Sequence, residues 1–293
     1  MRKAFAQSLS RELMENEFSA LLLGDIGVHA FRESFEKFPE RVYNIGILEQ
    51  SMVSLAAGMA LEGFIPTIHT IAPFVVERAF EQIKVDFGYQ KLPGNLVTVG
   101  GSVDYAALGC THHCPGDIGI MLNIPDVQII VPGTGEEFDS LYRETSRNES
   151  FTYSRLSELS NSTAHPVKFG KGLVVKQGSK ATVLCVGPTL DMTIEACRDL
   201  DVSILYFTTI FPFDSEIIKS ICTTGKILLV EPFYRHTVAP LILESLGMLK
   251  TQMSSIGVPR TFLRNYGSTA EHYESFGLTS TNIRGILQEL MGA

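Results

Sequence analysis

The sequence predicts an α/β protein of two consecutive domains, each a mostly parallel sheet with helices on both faces. Three observations carry this prediction. Short apolar runs alternate with helix-length amphipathic segments from end to end, the pattern of parallel strands joined by crossover helices. At 293 residues, 45% of them hydrophobic, the chain is long enough for two ordinary cores. Near its middle, "NESFTYSRLSELSNSTAHPVKFG" turns polar and carries a proline, which marks a boundary near His165. The expected domains are therefore residues 1–165 and 166–293, both of usual domain size.

Taken in order, residues 2–16 show the amphipathic periodicity of a first helix, and "ALLLG" reads as the first strand. A helix over about 47–62 follows, then strand "IPTIHTI", a helix over 74–90, and strands "NLVTVGG" and "VQIIVPG". A helix over 135–146 and strand "FTYSRL" complete the first half. The second half repeats the alternation: strand "ATVLCVG", helix "TLDMTIEACRDL", strand "VSILYFT", helix "DSEIIKSIC", strand "KILLVEP" and helix "VAPLILESLG". The segment "IRGILQELMG" closes it as a last helix.

A formal net charge of −8, with no window dense in Lys and Arg, argues against nucleic acid or an acidic membrane surface as partner. A protein or small molecule is the expected partner. No apolar run approaches the roughly 18 residues that span a bilayer, and the first residues lack the apolar core of a secretion signal. Five irregularly spaced cysteines (110, 114, 185, 197, 222) favour reduced thiols and a cytoplasmic location.

Four places hold candidate chemistry. Glu49 opens the helix "EQSMVSLAAGMALEG" and shares its inward face with Met52, Val53, Ala56 and Ala60 at spacings of three and four. Two roles are open to it: favouring the positive end of the helix dipole, or acting as an acid or base among apolar residues in need of a donor partner. Phe74, just after Pro73, stands at a strand-to-helix turn, the end of a parallel sheet where ligands gather, whereas Phe80 and Phe87 read as core. Asp25 follows the first strand and can cap a helix or meet a ligand. No phosphate-cradling glycine motif accompanies it.

The fourth place is "LGCTHHCPGD". Cys110, His112, His113 and Cys114 crowd four potential metal ligands together, but a structural zinc site draws a second pair from elsewhere, and the first half offers few. Neighbouring residues in an extended loop point to opposite sides, so the expectation is no metal and one histidine presented to a substrate.

On these residues the chain resembles the transketolases, specifically their C-terminal half. The matching residues are "RVYNIGILEQSMVSLAAGMALEG", similar to the family's Gly-x-x-Glu helix start; "RAFEQI" after a strand; Thr111-His112 in place of Thr-His-Gln; Ser154-Arg155; and "RNYGSTAEHYESFGLTSTNI". The resemblance covers essentially the whole chain. It implies thiamine diphosphate as cofactor and a transferase moving a short ketol or acyl unit. By the family pattern Glu49 hydrogen-bonds the aminopyrimidine and is catalytic with His112, while Asp25, Phe74 and Arg78 complete the cofactor-binding positions, Val75 competing with Phe74 for the stacking place. His112, Arg155, Arg2, His29 and Leu108 fall at substrate-binding positions, the arginines suited to gripping a phosphate.

The sequence also departs from the family. His29 stands for a serine at the phosphate, Leu108 for an aspartate that reads a sugar hydroxyl, and Gly100 near an upstream histidine. Losing groups that read hydroxyls favours a less hydroxylated partner than the ordinary pentose phosphates. The Gly-Asp-Gly and downstream Asn that hold diphosphate and Mg²⁺ or Ca²⁺ have no match here. The resemblance therefore implies a separate N-terminal-type subunit that carries them, in an α2β2 assembly acting on a sugar or keto substrate. A 2-oxo acid dehydrogenase β subunit and a non-catalytic subunit are the alternatives.

Overall fold

In the computed structural model, which describes residues 1–292, the first half starts with helix α1 (Arg2–Glu15) and strand β1 (Ser19–Leu23). A 3-10 turn (Val28–Phe31) and helix α2 (Arg32–Lys37) lead to β2 (Val42–Asn44), α3 (Glu49–Leu61) and β3 (Ile65–Ile71). The next helical stretch holds α4 (Phe80–Gln82) between π-helical turns at Pro73–Glu77 and Ile83–Tyr89. Then come β4 (Gly94–Val99), α5 (Asp117–Met121), β5 (Gln128–Ile130), α6 (Gly135–Thr145) and β6 (Phe151–Arg155).

The second half runs β7 (Leu173–Lys176), β8 (Ala181–Val186), α7 (Leu190–Ala196), β9 (Val202–Phe207), β10 (Thr209–Phe211) and α8 (Ser215–Ile221). It ends with β11 (Lys226–Tyr234), α9 (Ala239–Leu246), β12 (Gln252–Val258), α10 (Thr269–Phe276) and α11 (Ser280–Met291).

Two sheets result, ordered β10-β5-β6-β4-β3-β1-β2 and β12-β11-β8-β9-β7. Both are parallel except for the antiparallel pairs β10–β5 and β7–β9. The first is covered on both faces because successive strand residues point to opposite sides. Leu22, Ile68 and Leu96 face Met52, Val53 and Ala56 of α3, whereas Leu21, Leu23 and Val97 face Phe5 and Leu9 of α1 and Phe138 of α6. No helix among the described residues is long and apolar enough to cross a membrane.

The structure adds β2, β7, β10, β12, α2, α5 and α10 to the elements expected. β2 and β10 are three residues long, too short to show a period, and "QMSSIGV" of β12 is polar in its first half because it is an edge strand. β10 also changes the domain picture. It belongs to the second half by sequence, yet Thr209 pairs with Ile130 and Phe211 with Ile129 at the edge of the first sheet. A single apolar cluster accordingly joins Ile129 and Val131 to Leu184, Phe207 and Phe233.

Candidate active site

The carboxyl ends of β1, β2, β3, β4 and β6 lie along one edge of the first sheet, and every sequence-predicted site residue except Arg2 and Arg78 sits at one of them or on the loop or helix start that follows it. Glu49 is the first residue of α3 and only 1% exposed, held down by the burial of Met52, Val53 and Ala56 on the same helical face. Its Oε2 accepts a hydrogen bond from Arg78 Nη1 at 2.7 Å. Its Oε1 is buried and has no partner. A buried carboxylate oxygen left unpaired costs free energy that a ligand donor recovers.

Phe74 is half-buried and is linked to that carboxylate through Arg78. The Arg78 guanidinium lies 4.8 Å from its ring centroid, close enough for a cation–π contact. The π-helical turn at Pro73–Glu77 carries Phe74 here, while Val75 is fully buried in the core. His112 closes the row, its ring 5.1 Å from Phe74 and nearly perpendicular to it. Its Nδ1 pairs with the Thr111 hydroxyl at 3.0 Å.

The loop that presents His112 is tied at its base by two backbone hydrogen bonds between Ser102 and Cys114, of 2.9 and 2.8 Å. His113 turns the other way and is buried against His272 at 5.6 Å; burial first, and then His272, pull its pKa down. Cys110 is exposed, Cys114 is buried with Sγ 3.6 Å from Glu77 Oε1, and all five cysteines are free. Among the described residues no three His, Cys, Asp or Glu side chains come together in a way that would hold a metal.

Beyond His112, the Tyr105 ring centroid is 6.1 Å from the imidazole, and its hydroxyl accepts a hydrogen bond from Arg2 Nη2. Leu108, 52% exposed, borders a recess that Arg2 and Tyr105 also line. Asp25 and His29 are exposed on the loop after β1. Asp25 adopts a left-handed φ of 59° and pairs with Asn44, its N–H donating to Asn44 Oδ1 and its Oδ1 accepting from Asn44 Nδ2, both at 3.1 Å. It caps no helix.

Arg155 departs from expectation. Rather than facing a substrate phosphate, it is fully buried, with Nε donating to Asp117 Oδ2 at 2.7 Å and Nη2 to the Pro232 carbonyl at 3.4 Å. Tyr153 donates to the same Asp117 oxygen at 2.9 Å. Gly101 lies so close that a Cβ there would come within 2.7 Å of the guanidinium. Burial alone disfavours the Arg155 charge, but Asp117 and then Asp104 more than offset it and raise its pKa. Sequence reasoning missed Asp117 and Tyr105: Asp117 stands in the quoted loop motif, but its partner is 38 residues away and carries no local signal.

Two other buried groups titrate in opposite senses. Burial pushes Asp104 up to about 6, countered by Arg155 and by hydrogen bonds from the Glu158 N–H and the Ser157 hydroxyl. Burial pulls His69 down to about 4 against its hydrogen bond to the Val97 carbonyl. With its folded pKa raised, Asp104 lends stability below about pH 4 that is lost as pH rises through 6. With its folded pKa lowered, His69 lends stability above about 6.5 that is lost as pH falls through 4; each contribution is about 3 kcal/mol. Asp104→Asn, which imitates the protonated acid, is therefore expected to raise the thermal midpoint at pH 7.5, leave it unchanged at pH 4, and uncover the acid sensitivity due to His69. A parallel fall at both pH values in a calorimetric titration would contradict this.

Fold and site together define an α/β protein of two mostly parallel sheets, with a buried helix-start carboxylate and its arginine at the carboxyl edge of the first sheet. The sequence pattern of "Transketolase, pyrimidine binding domain" matches residues 1–160 and that of "Transketolase, C-terminal domain" residues 170–283. The chain belongs to the transketolase family. It is 34% identical to an "Uncharacterized 33.6 kDa protein in fasciation locus" of Rhodococcoides fascians, over 100% of this chain and 95% of that one. It is 31% identical to a subunit of an apulose-4-phosphate transketolase of Actinobacillus succinogenes, over 62% of this chain and 61% of the relative. A 1-deoxy-D-xylulose-5-phosphate synthase of Magnetococcus marinus matches 99% of the chain at 27% identity, and the chain spans 49% of its length. A solved "Split gene transketolase, inactive beta4 tetramer" superposes with a TM-score of 0.86 at 24% identity, covering 99% of this chain and 97% of that one.

Proposed function

We propose that this chain is the pyrimidine-side subunit of a two-chain, thiamine diphosphate-dependent transketolase-like transferase, which moves a short ketol or acyl unit from a ketose or 2-oxo donor to an aldehyde acceptor. One observation carries the reading: Glu49 Oε1 is buried and unpaired, and the Arg78 that binds the other carboxylate oxygen lies over the Phe74 ring. An aminopyrimidine fits such a place, its ring nitrogen on Glu49 and its ring against Phe74, with Arg78 holding the carboxylate and Asp25 on the flanking loop. Thiamine diphosphate supplies, when bound, the centre that stabilises a carbanion. The residues of this chain orient it and handle protons: Glu49 at the pyrimidine nitrogen, His112 at the substrate oxygen where charge develops.

Two features support a separate partner that binds the diphosphate and Mg²⁺ or Ca²⁺. The chain has no Gly-Asp-Gly motif. Around the buried Glu49, Ile47 (67% exposed), Leu48 and Leu55 present apolar surface, and at Gly58 on the same stripe a Cβ would meet nothing within 4 Å. Such a surface suits close approach of another chain. The likeness to one subunit of an apulose-4-phosphate transketolase and to a split-gene transketolase supports the same arrangement, which we place in an α2β2 complex in the cytoplasm, where free thiols persist. Leu108, at the position where the family reads a sugar hydroxyl, favours a reaction other than the ordinary pentose-phosphate one.

To test this, the chain is assembled with a diphosphate-binding subunit, and aldehyde consumption is followed with hydroxypyruvate or pyruvate as donor. Transfer that requires both chains and thiamine diphosphate is expected. Turnover only with a lipoyl carrier would instead establish the dehydrogenase reading, and absence of any thiamine-dependent transfer would refute catalysis.

A further inference from the structure

The recess beyond His112 has a volume of about 910 Å³ and is bordered by Arg2, Asp104, Tyr105, Leu108 and Ser268. A chain of side-chain contacts leads to it from Glu49: Arg78, Phe74, His112, then Tyr105 with Arg2, of which Tyr105 and Arg2 line the recess itself. Whatever reacts near Glu49 and His112 therefore extends its far end toward Tyr105.

Tyr105 is held rigidly. Gly100 has a φ of +73°, and a Cβ on it would come 2.3 Å from Tyr105 Cε2, so the phenol ring fills the space a side chain at position 100 would take. The Arg2 guanidinium lies 5.3 Å from the ring centroid and donates to the hydroxyl. A guanidinium only donates, so the phenol oxygen accepts and keeps its single proton to give away. Among the described residues that proton has no acceptor, since the Arg2 contact is the one hydrogen bond made by the Tyr105 hydroxyl.

Resting on the function proposed above, we infer that Tyr105 determines substrate specificity by donating its phenolic hydrogen bond to an oxygen on the distal part of the substrate, beyond the carbon that reacts at His112. The site thereby prefers an aldehyde long enough to place an acceptor oxygen at Tyr105 over a two-carbon one. Arg2 is a positioning residue in this arrangement, since it turns the phenol proton toward the recess.

The experiment uses the assembled complex with thiamine diphosphate, hydroxypyruvate as donor, and glycolaldehyde or a four- or five-carbon aldose, free and phosphorylated, as acceptor. In Tyr105→Phe the ratio of kcat/KM for the best long acceptor to that for glycolaldehyde is expected to fall about tenfold, mostly through KM, as for one lost neutral hydrogen bond. The long acceptor is also expected to produce a near-ultraviolet phenol difference band in the wild-type complex that the Tyr105→Phe complex lacks. An unchanged ratio together with an unchanged band overturns the role of Tyr105 and leaves the transferase reading intact. A wild-type complex that transfers to none of these acceptors, or is indifferent to Glu49→Gln, overturns both.

Discussion

Glu49→Gln is expected to lower thiamine-dependent transfer by the assembled complex roughly a hundred- to ten-thousand-fold, the span of a lost acid–base contribution. The substitution keeps the shape of the side chain but replaces the carboxylate by an amide, and Oε1 is the buried atom that lacks any protein partner. Arg78, the carboxylate's ion-pair partner at 2.7 Å, is 42% exposed and can rehydrate, so the stability change is expected to stay below about 1 kcal/mol. Activity and folding thus separate cleanly in this variant. Rates within a factor of three of the wild type, with the complex intact, would end the mechanistic proposal.

Asp117→Ala is expected to have the opposite profile, with folding lost before chemistry. Asp117 and Arg155 are both 0% exposed in their side chains, and Asp117 Oδ2 also accepts from Tyr153. Removing the carboxylate leaves a guanidinium charge in the interior, which costs about 3–5 kcal/mol. At the size of this chain that lowers the thermal midpoint by about 10 °C. Replacing the pair together, Asp117→Leu with Arg155→Met, is expected to recover part of the loss, because neither charge then has to be buried. A midpoint shift of less than about 2 °C for Asp117→Ala in a calorimetric scan would show that the pair is dispensable. The result also bears on His112, because Asp117 opens α5 just after the tied loop and Arg155 lies under Gly101 at the loop's start.

Glu49 illustrates how far local pattern reaches. Its helix places Met52, Val53, Ala56 and Ala60 on one face by spacing alone, and that face is the buried one. The long strands were legible for the same reason, since each depends on a period of two residues written in consecutive positions; His112 and His113 have different neighbours because a 3-10 turn over Cys110–His112 ends between them, not because the loop is extended as expected. Arg155 shows where such reasoning stops. "SR" at a strand end fits a phosphate grip as well as a buried ion pair, and the choice depends on Asp117, which α5 carries in from another part of the chain.

The sequence by itself determined the α/β class, the inward-facing carboxylate at Glu49 and the loop that offers a histidine, because each is encoded by neighbours within a few turns of one element. Only the tertiary structure decided that β10 completes the first sheet, that Arg155 is buried with Asp117, and that Tyr105 stands with Arg2 beyond His112. Those three depend on contacts between residues 38 to 103 positions apart or on strand pairing across the two halves, and the free energy of such contacts comes from burial and hydrogen bonding that no local period records.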